Sequence, residues 1–155
     1  MAPTPSPDAS GLSDDERRLL LSTAREAIRR GCAGEPALPE RWPAPEGRLA
    51  ERRATFVTLE KRGQLRGCIG MLEATRPLLI DVAENARAAA FEDPRFPPVE
   101  PRELDDLEIH VSILTPPEEL TFASEEDLLR RIEPGRDGLI LQEGPRRGTF
   151  LPSVW

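Results

Sequence analysis

Cysteine and histidine are scarce in this sequence: Cys32, Cys68 and His110 are all it holds. Two cysteines cannot build a disulfide framework, and with no secretory signal in view the expected compartment is the cytoplasm. A closed zinc site draws three or four ligands from cysteine, histidine and carboxylates at short spacings. Cys32 and Cys68 lie far apart with one histidine beyond them, and no loop has the acidic spacing of a calcium site. No metal site and no cofactor are therefore predicted. Long apolar runs are missing too; nothing approaches the roughly 20 residues that cross a bilayer. The opening residues, MAPTPSPDASG, carry neither a basic patch nor an apolar stretch, so they do not read as a secretory signal. A basic stripe is likewise lacking. Lys+Arg of 21 against Asp+Glu of 28 gives a net charge of −7, with arginines set beside acids as in Glu16-Arg17 and Glu51-Arg52. Such a surface repels phosphate backbones, so neither nucleic acid nor membrane is an expected partner. The glycine-rich phosphate loops and the Gly-x-Ser-x-Gly elbow are absent. That removes kinases, P-loop enzymes, dinucleotide folds and typical serine hydrolases.

What is present suits one ordinary domain, since about 100–200 residues per domain is usual and the chain has 155. Residues 1–12 are rich in proline, serine and alanine and are expected to form a disordered tail, leaving 13–155 as the domain. Ser13-Asp14-Asp15-Glu16 reads as a capping box. The helix it opens should run to about Arg30, with Leu20, Ala24, Ala27 and Ile28 on one face and Gly31 as its stop. Four prolines and three glycines between Gly31 and Gly47 argue for a long loop. Ala54–Leu59 reads as a strand, Glu60–Gln64 as a hairpin turn and Leu65–Leu72 as the returning strand. Thr75 and Pro77 open a second helix with a stripe of Leu79, Val82, Ala83, Ala86 and Ala90, and Asp93-Pro94 ends it. Arg95-Phe96-Pro97-Pro98 should then be extended. Leu107–Leu114 alternates cleanly, with Leu107, Ile109, Val111 and Ile113 on one face. Ser124 caps a short acidic helix to about Ile132, and Gly138–Gln142 with Gly148–Leu151 suggest a final hairpin pair. Arg146-Arg147-Gly148-Thr149 reads most simply as a turn. This order favours an α+β fold, a mixed, mainly antiparallel sheet with helices laid on it.

Leu65–Gly70 (LRGCIG) is the unusual stretch. Glycine weakens a strand, so Gly67 and Gly70 mark a bulge or a close approach by another backbone or a ligand. On a regular strand Arg66 and Cys68 project to the same side, and a guanidinium beside a thiol favours thiolate and nucleophilicity. The plainer alternative is a small buried cysteine where bulk is forbidden. His110, on the polar side of its strand, is a weaker candidate as general base, or simply a solvated histidine. Asp93-Pro94-Arg95-Phe96-Pro97-Pro98 sets an acid and a base on a stiff arm. It is either a helix stop with an Asp93–Arg95 pair, or a device holding Arg95 over a cleft to take a carboxylate or phosphate.

Taken together, several segments resemble the AMMECR domain family. They are Phe56-Val57-Thr58-Leu59, Gly63–Gly70, Asp93–Val99, Glu103-Leu104 with Val111–Leu114, and Asp137-Gly138-Leu139 with Gly148–Pro152. The resemblance covers about residues 13–155. It implies a two-part fold, a larger helix-flanked sheet with a smaller subdomain, and a cleft between them lined by the LRGCIG strand. Such domains usually continue past the segment matching Leu151–Trp155 into a helical tail. The resemblance also implies association with a Memo-type protein and a radical-SAM protein. Two functional expectations follow. In the first, the chain is a thiol-dependent enzyme or carrier for a small anionic or modified substrate. Cys68, Arg66 and His110 then stand at the reacting centre, with Gly67, Gly70, Asp93, Arg95 and Phe96 around the substrate. In the second it is a non-catalytic module that docks a Memo-type or radical-SAM partner.

Overall fold

The computed structural model describes residues 11–42 and 44–150. Helix α1 spans Asp14–Cys32 and begins as its sequence predicts. The Glu16 N–H donates to the Ser13 hydroxyl at 3.1 Å, and the Ser13 N–H donates back to the Glu16 carboxylate at 3.0 Å. Leu20, Ala24, Ala27 and Ile28 are all buried. Leu12, expected in the tail, is buried too, because an apolar residue just before the cap can reach the core; residues 1–10 lie outside the described residues. Gly31 does not stop the helix. It sits within the last turn, where any Cβ would overlap the Phe91 ring, so its small size serves helix packing.

Strands β1 (Thr55–Lys61) and β2 (Gln64–Gly70) are joined by Arg62-Gly63, both with positive φ, the two-residue turn that matches strand twist. Strand β3 (Leu107–Ile113) pairs with the other side of β1, giving the antiparallel order β2-β1-β3. Helix α2 covers Leu78–Phe91, and every member of its predicted stripe is buried. Val57 and Leu59 of β1 and the apolar face of β3 pack with α1 and α2 into one core. Among the described pairings every one is antiparallel.

Of the expected extended run Arg95–Pro98, the first two residues instead belong to a turn, Asp93-Pro94-Arg95-Phe96. It is closed by the Phe96 N–H donating to the Asp93 carbonyl at 3.2 Å, with proline in the second position that favours it. The α+β expectation otherwise stands. The chain divides into two compact units, one ending at Pro117 and the second beginning at Glu118. The second holds helix α3 (Glu125–Arg131), capped by Ser124, and the hairpin of β4 (Leu139–Glu143) with β5 (Arg146–Phe150). Its turn is Gly144-Pro145, so Arg146–Thr149 is strand rather than turn. Gly144 supplies the positive φ there, and proline closes the turn without needing an N–H.

Candidate functional site

The two glycines of the LRGCIG segment set its geometry. A Cβ on Gly67 would overlap the Ala89 carbonyl oxygen, so its absence lets α2 lie directly against β2. A Cβ on Gly70 would overlap the Phe56 ring and the Thr55 carbonyl. Both close approaches are made by the protein's own atoms. Gly67 and Gly70, expected around a substrate, each have a packing role here. By bringing the end of α2 down onto β2, Gly67 also delivers the Asp93 turn to Cys68.

Asp93 is buried, and among the described residues its carboxylate accepts four hydrogen bonds from two residues, Cys68 and Arg95. The Cys68 N–H donates to Oδ2 at 3.0 Å, and Arg95 donates through Nη2 to Oδ2 at 2.7 Å. Arg95 also donates through Nε and its backbone N–H to Oδ1, at 3.0 and 3.1 Å. The Arg95 hydrogen bonds, opposed by burial and aided by the two backbone N–H groups, hold the Asp93 carboxyl well below the usual range. Such an acid is a brace, neither a proton donor nor a free substrate ligand. The Cys68 amide points away from β1 because Thr58 and Cys68 are a non-hydrogen-bonded cross-strand pair, the kind whose side chains approach more closely. The Thr58 hydroxyl lies 3.2 Å from Cys68 Sγ, and either can donate. The thiol is half-buried, not sealed.

Arg95 is the cation of this site. Its pKa is raised first by the Asp93 hydrogen bond and in part by the Cys68 sulfur, while its side chain keeps 55% exposure. The Phe96 ring supports the guanidinium from 5.4 Å, a cation–π contact. One end of Arg95 is thus fixed by a carboxylate and an aromatic face while the rest meets solvent, which suits it to receive an anion.

Arg66 is placed differently from the sequence expectation. The β1–β2 register shifts between Leu59 and Glu60, so Arg66 falls in a bulge and the regular alternation that set it beside Cys68 is broken. Its guanidinium donates to Glu103 through Nε and Nη2, each at 3.1 Å, and to the Pro98 carbonyl at 3.3 Å. Glu103 also receives Lys61 Nζ at 2.9 Å. The Arg66 bonds lead in pushing its carboxyl down to about 2. His110 is not within reach of the thiol either. It faces Thr58 across the β1–β3 pairing, so Cys68 and His110 lie two strand spacings apart, about 10 Å.

Two features lacked a sequence signal. Thr58 enters only through the bulged register. Thr55, Asp81, Asn85 and Arg76 form a buried network that ties the start of β1 to α2. In it the Thr55 hydroxyl donates to Asp81 at 2.6 Å, and Arg76 Nε donates to the same carboxylate at 2.9 Å.

The comparisons with known proteins agree with this fold. A family model described as AMMECR1 matches residues 21–155. A protein of Methanothermobacter thermautotrophicus is 48% identical over 145 residues, covering 92% of this chain and 74% of that relative. A Thermotoga maritima protein is 47% identical over 112 residues, covering 71% of this chain and 61% of its own length. The crystal structure of the uncharacterised protein PH0010 from Pyrococcus horikoshii superposes with a TM-score of 0.79 at 37% identity, covering 92% of this chain and 72% of that one. The fold, an antiparallel sheet carrying a braced thiol on its LRGCIG strand, is that of an α+β protein of this class. The chain belongs to the AMMECR1 family. No helix among the described residues is long and apolar enough to cross a membrane.

Proposed function

We propose that Cys68 is the working thiol of an enzyme or carrier for a small anionic substrate. In this reading Thr58 is the hydroxyl that hydrogen-bonds the sulfur, Arg95 the anion contact, and Asp93 the positioning residue that holds Arg95 and the Cys68 backbone together. The single observation that carries the reading is the braced Asp93, joining a half-buried thiol to a half-exposed guanidinium. A cysteine kept only for its small volume needs no cation held beside it. Arg66 and His110, expected at the reacting centre, take no part in this version. The test is alkylation of the folded protein with neutral iodoacetamide, located by peptide mapping. Cys68 should label in the native state and Cys32 more slowly, because burial raises the Cys32 thiol above its ordinary pKa and its Sγ already leans on the Val99 carbonyl at 3.6 Å. Labelling of Cys68 only after unfolding removes the proposal.

A second reading, a non-catalytic module docking a Memo-type or radical-SAM partner, draws on a different observation. Leu65 in β2 and Met71 just beyond its end are exposed apolar side chains beside an edge strand of the described sheet. Co-purification with either partner should then survive Cys68→Ser and be lost in Leu65→Glu.

A further inference from the structure

The polar face of the sheet carries a second cluster, outside the thiol site. Glu60 of β1 and Glu108 of β3 stand directly opposite each other, and His110 is the next outward residue along β3. Like charges directly opposite on antiparallel strands are destabilising. The nearby cations do not relieve them. Lys61 and Arg66 are engaged by Glu103, and Arg62 reaches Asp106. Among the described residues neither glutamate has a lysine or arginine partner, and both lean on the one imidazole. His110 Nε2 is 3.5 Å from a Glu60 oxygen and 3.8 Å from a Glu108 oxygen. One ligand atom from each of the three residues falls within 4.8 Å of the others.

We propose that Glu60, Glu108 and His110 form a three-ligand site for a divalent transition-metal ion of the zinc class. Zinc binds imidazole nitrogen and carboxylate oxygen at about 2.0–2.2 Å, which places neighbouring tetrahedral donors about 3.4 Å apart. The two distances from His110 are near that value, and the two glutamate side chains, whose oxygens lie within 4.8 Å of each other, have the freedom to close the rest. One nitrogen with two carboxylates favours zinc-like ions over calcium or magnesium, which prefer all-oxygen shells. Three protein ligands leave a fourth position for water, the arrangement of catalytic rather than structural zinc. The scarcity of cysteine and histidine in the sequence still excludes a closed site. It does not exclude an open one, because two of the three donors are carboxylates brought together by strand register. Cys68 lies two strand spacings from His110 and is not a ligand.

The chain has a single histidine, so its ring resonances report on this site without ambiguity. Zinc chloride titrated into the full chain should shift the imidazole signals and saturate at one equivalent. The double variant Glu60→Gln/Glu108→Gln keeps His110, removes only surface charge, and should bind about tenfold or more weakly. Cys68→Ser should bind as the wild type does. An imidazole signal that stays put, a double variant that binds unchanged, or binding lost in Cys68→Ser each overturns the proposal.

Discussion

Replacing Glu103 by glutamine tests whether Arg66 belongs to the framework or to the thiol. The Glu103 carboxylate receives Lys61 Nζ, the Glu100 N–H at 2.8 Å, and both Nε and Nη2 of Arg66. Its pKa falls from 4.5 to about 2 in the folded chain. At about 1.4 kcal/mol per unit this links its ionisation to about 3 kcal/mol of stability. Both Glu103 and Arg66 side chains are only 11% exposed, so solvent screening removes little of that. The same figure follows from the other direction. Withdrawing one charge from a largely buried pair costs about 3–5 kcal/mol, because the partner is left uncompensated. Urea unfolding at pH 7 should therefore show Glu103→Gln less stable by about 3 kcal/mol. The sign with pH is fixed by the direction of the shift. A carboxyl whose folded pKa is lowered stabilises fully above its unfolded value, near 4.5, and loses that contribution as pH falls towards about 2. The gap between wild type and variant should be complete at pH 7 and narrow below pH 4.5. Native-state labelling of Cys68 should be unchanged. A gap under about 1 kcal/mol, or one that persists undiminished in acid, refutes this account of Arg66.

Two further substitutions probe the brace. Gly67→Ala forces a Cβ onto the backbone carbonyl of Ala89, which cannot swing aside as a flexible side chain can, so urea unfolding should show a loss of about 1–3 kcal/mol. Asp93→Asn presents an amide where the Cys68 N–H and Arg95 need an acceptor. Arg95 is half-exposed, so the ion pair itself counts for little; with one oxygen where there were two, either the Cys68 N–H or the Arg95 N–H faces the amide NH2, and the same assay should show a loss of about 2 kcal/mol.

Much of the fold was legible because periodicity and caps are local. Ser13 with Glu16, the buried stripe of α2 and the alternation of β3 each report on a few neighbouring residues, and each appears as read. Gly31 misled because a helix-ending glycine and a helix-packing glycine look alike until the partner, Phe91, is known. The site was harder to read. A hairpin drawn back from Arg62-Gly63 without a bulge pairs Thr58 with Gly67; the register shift moves Thr58 opposite Cys68 and turns Arg66 away. Gly67 and Gly70 admitted a bulge in this stretch but did not place it. Asp93 and Arg95 were visible as a pair, but their attachment to the Cys68 amide depends on α2 lying against Gly67, a contact between residues distant in sequence. The meeting of Glu60, Glu108 and His110 depends in the same way on β1–β3 register.

The most direct measurement of the central claim is the charge preference of Cys68. Anionic iodoacetate and neutral iodoacetamide differ little in size, so the ratio of their rates, taken against a free thiol, reports the cation beside the sulfur. The ratio should be raised in the wild type, fall towards the free-thiol value in Arg95→Ala, and remain raised in Arg66→Ala. A ratio equal to that of a free thiol, or one that collapses with Arg66 and survives the loss of Arg95, contradicts the account.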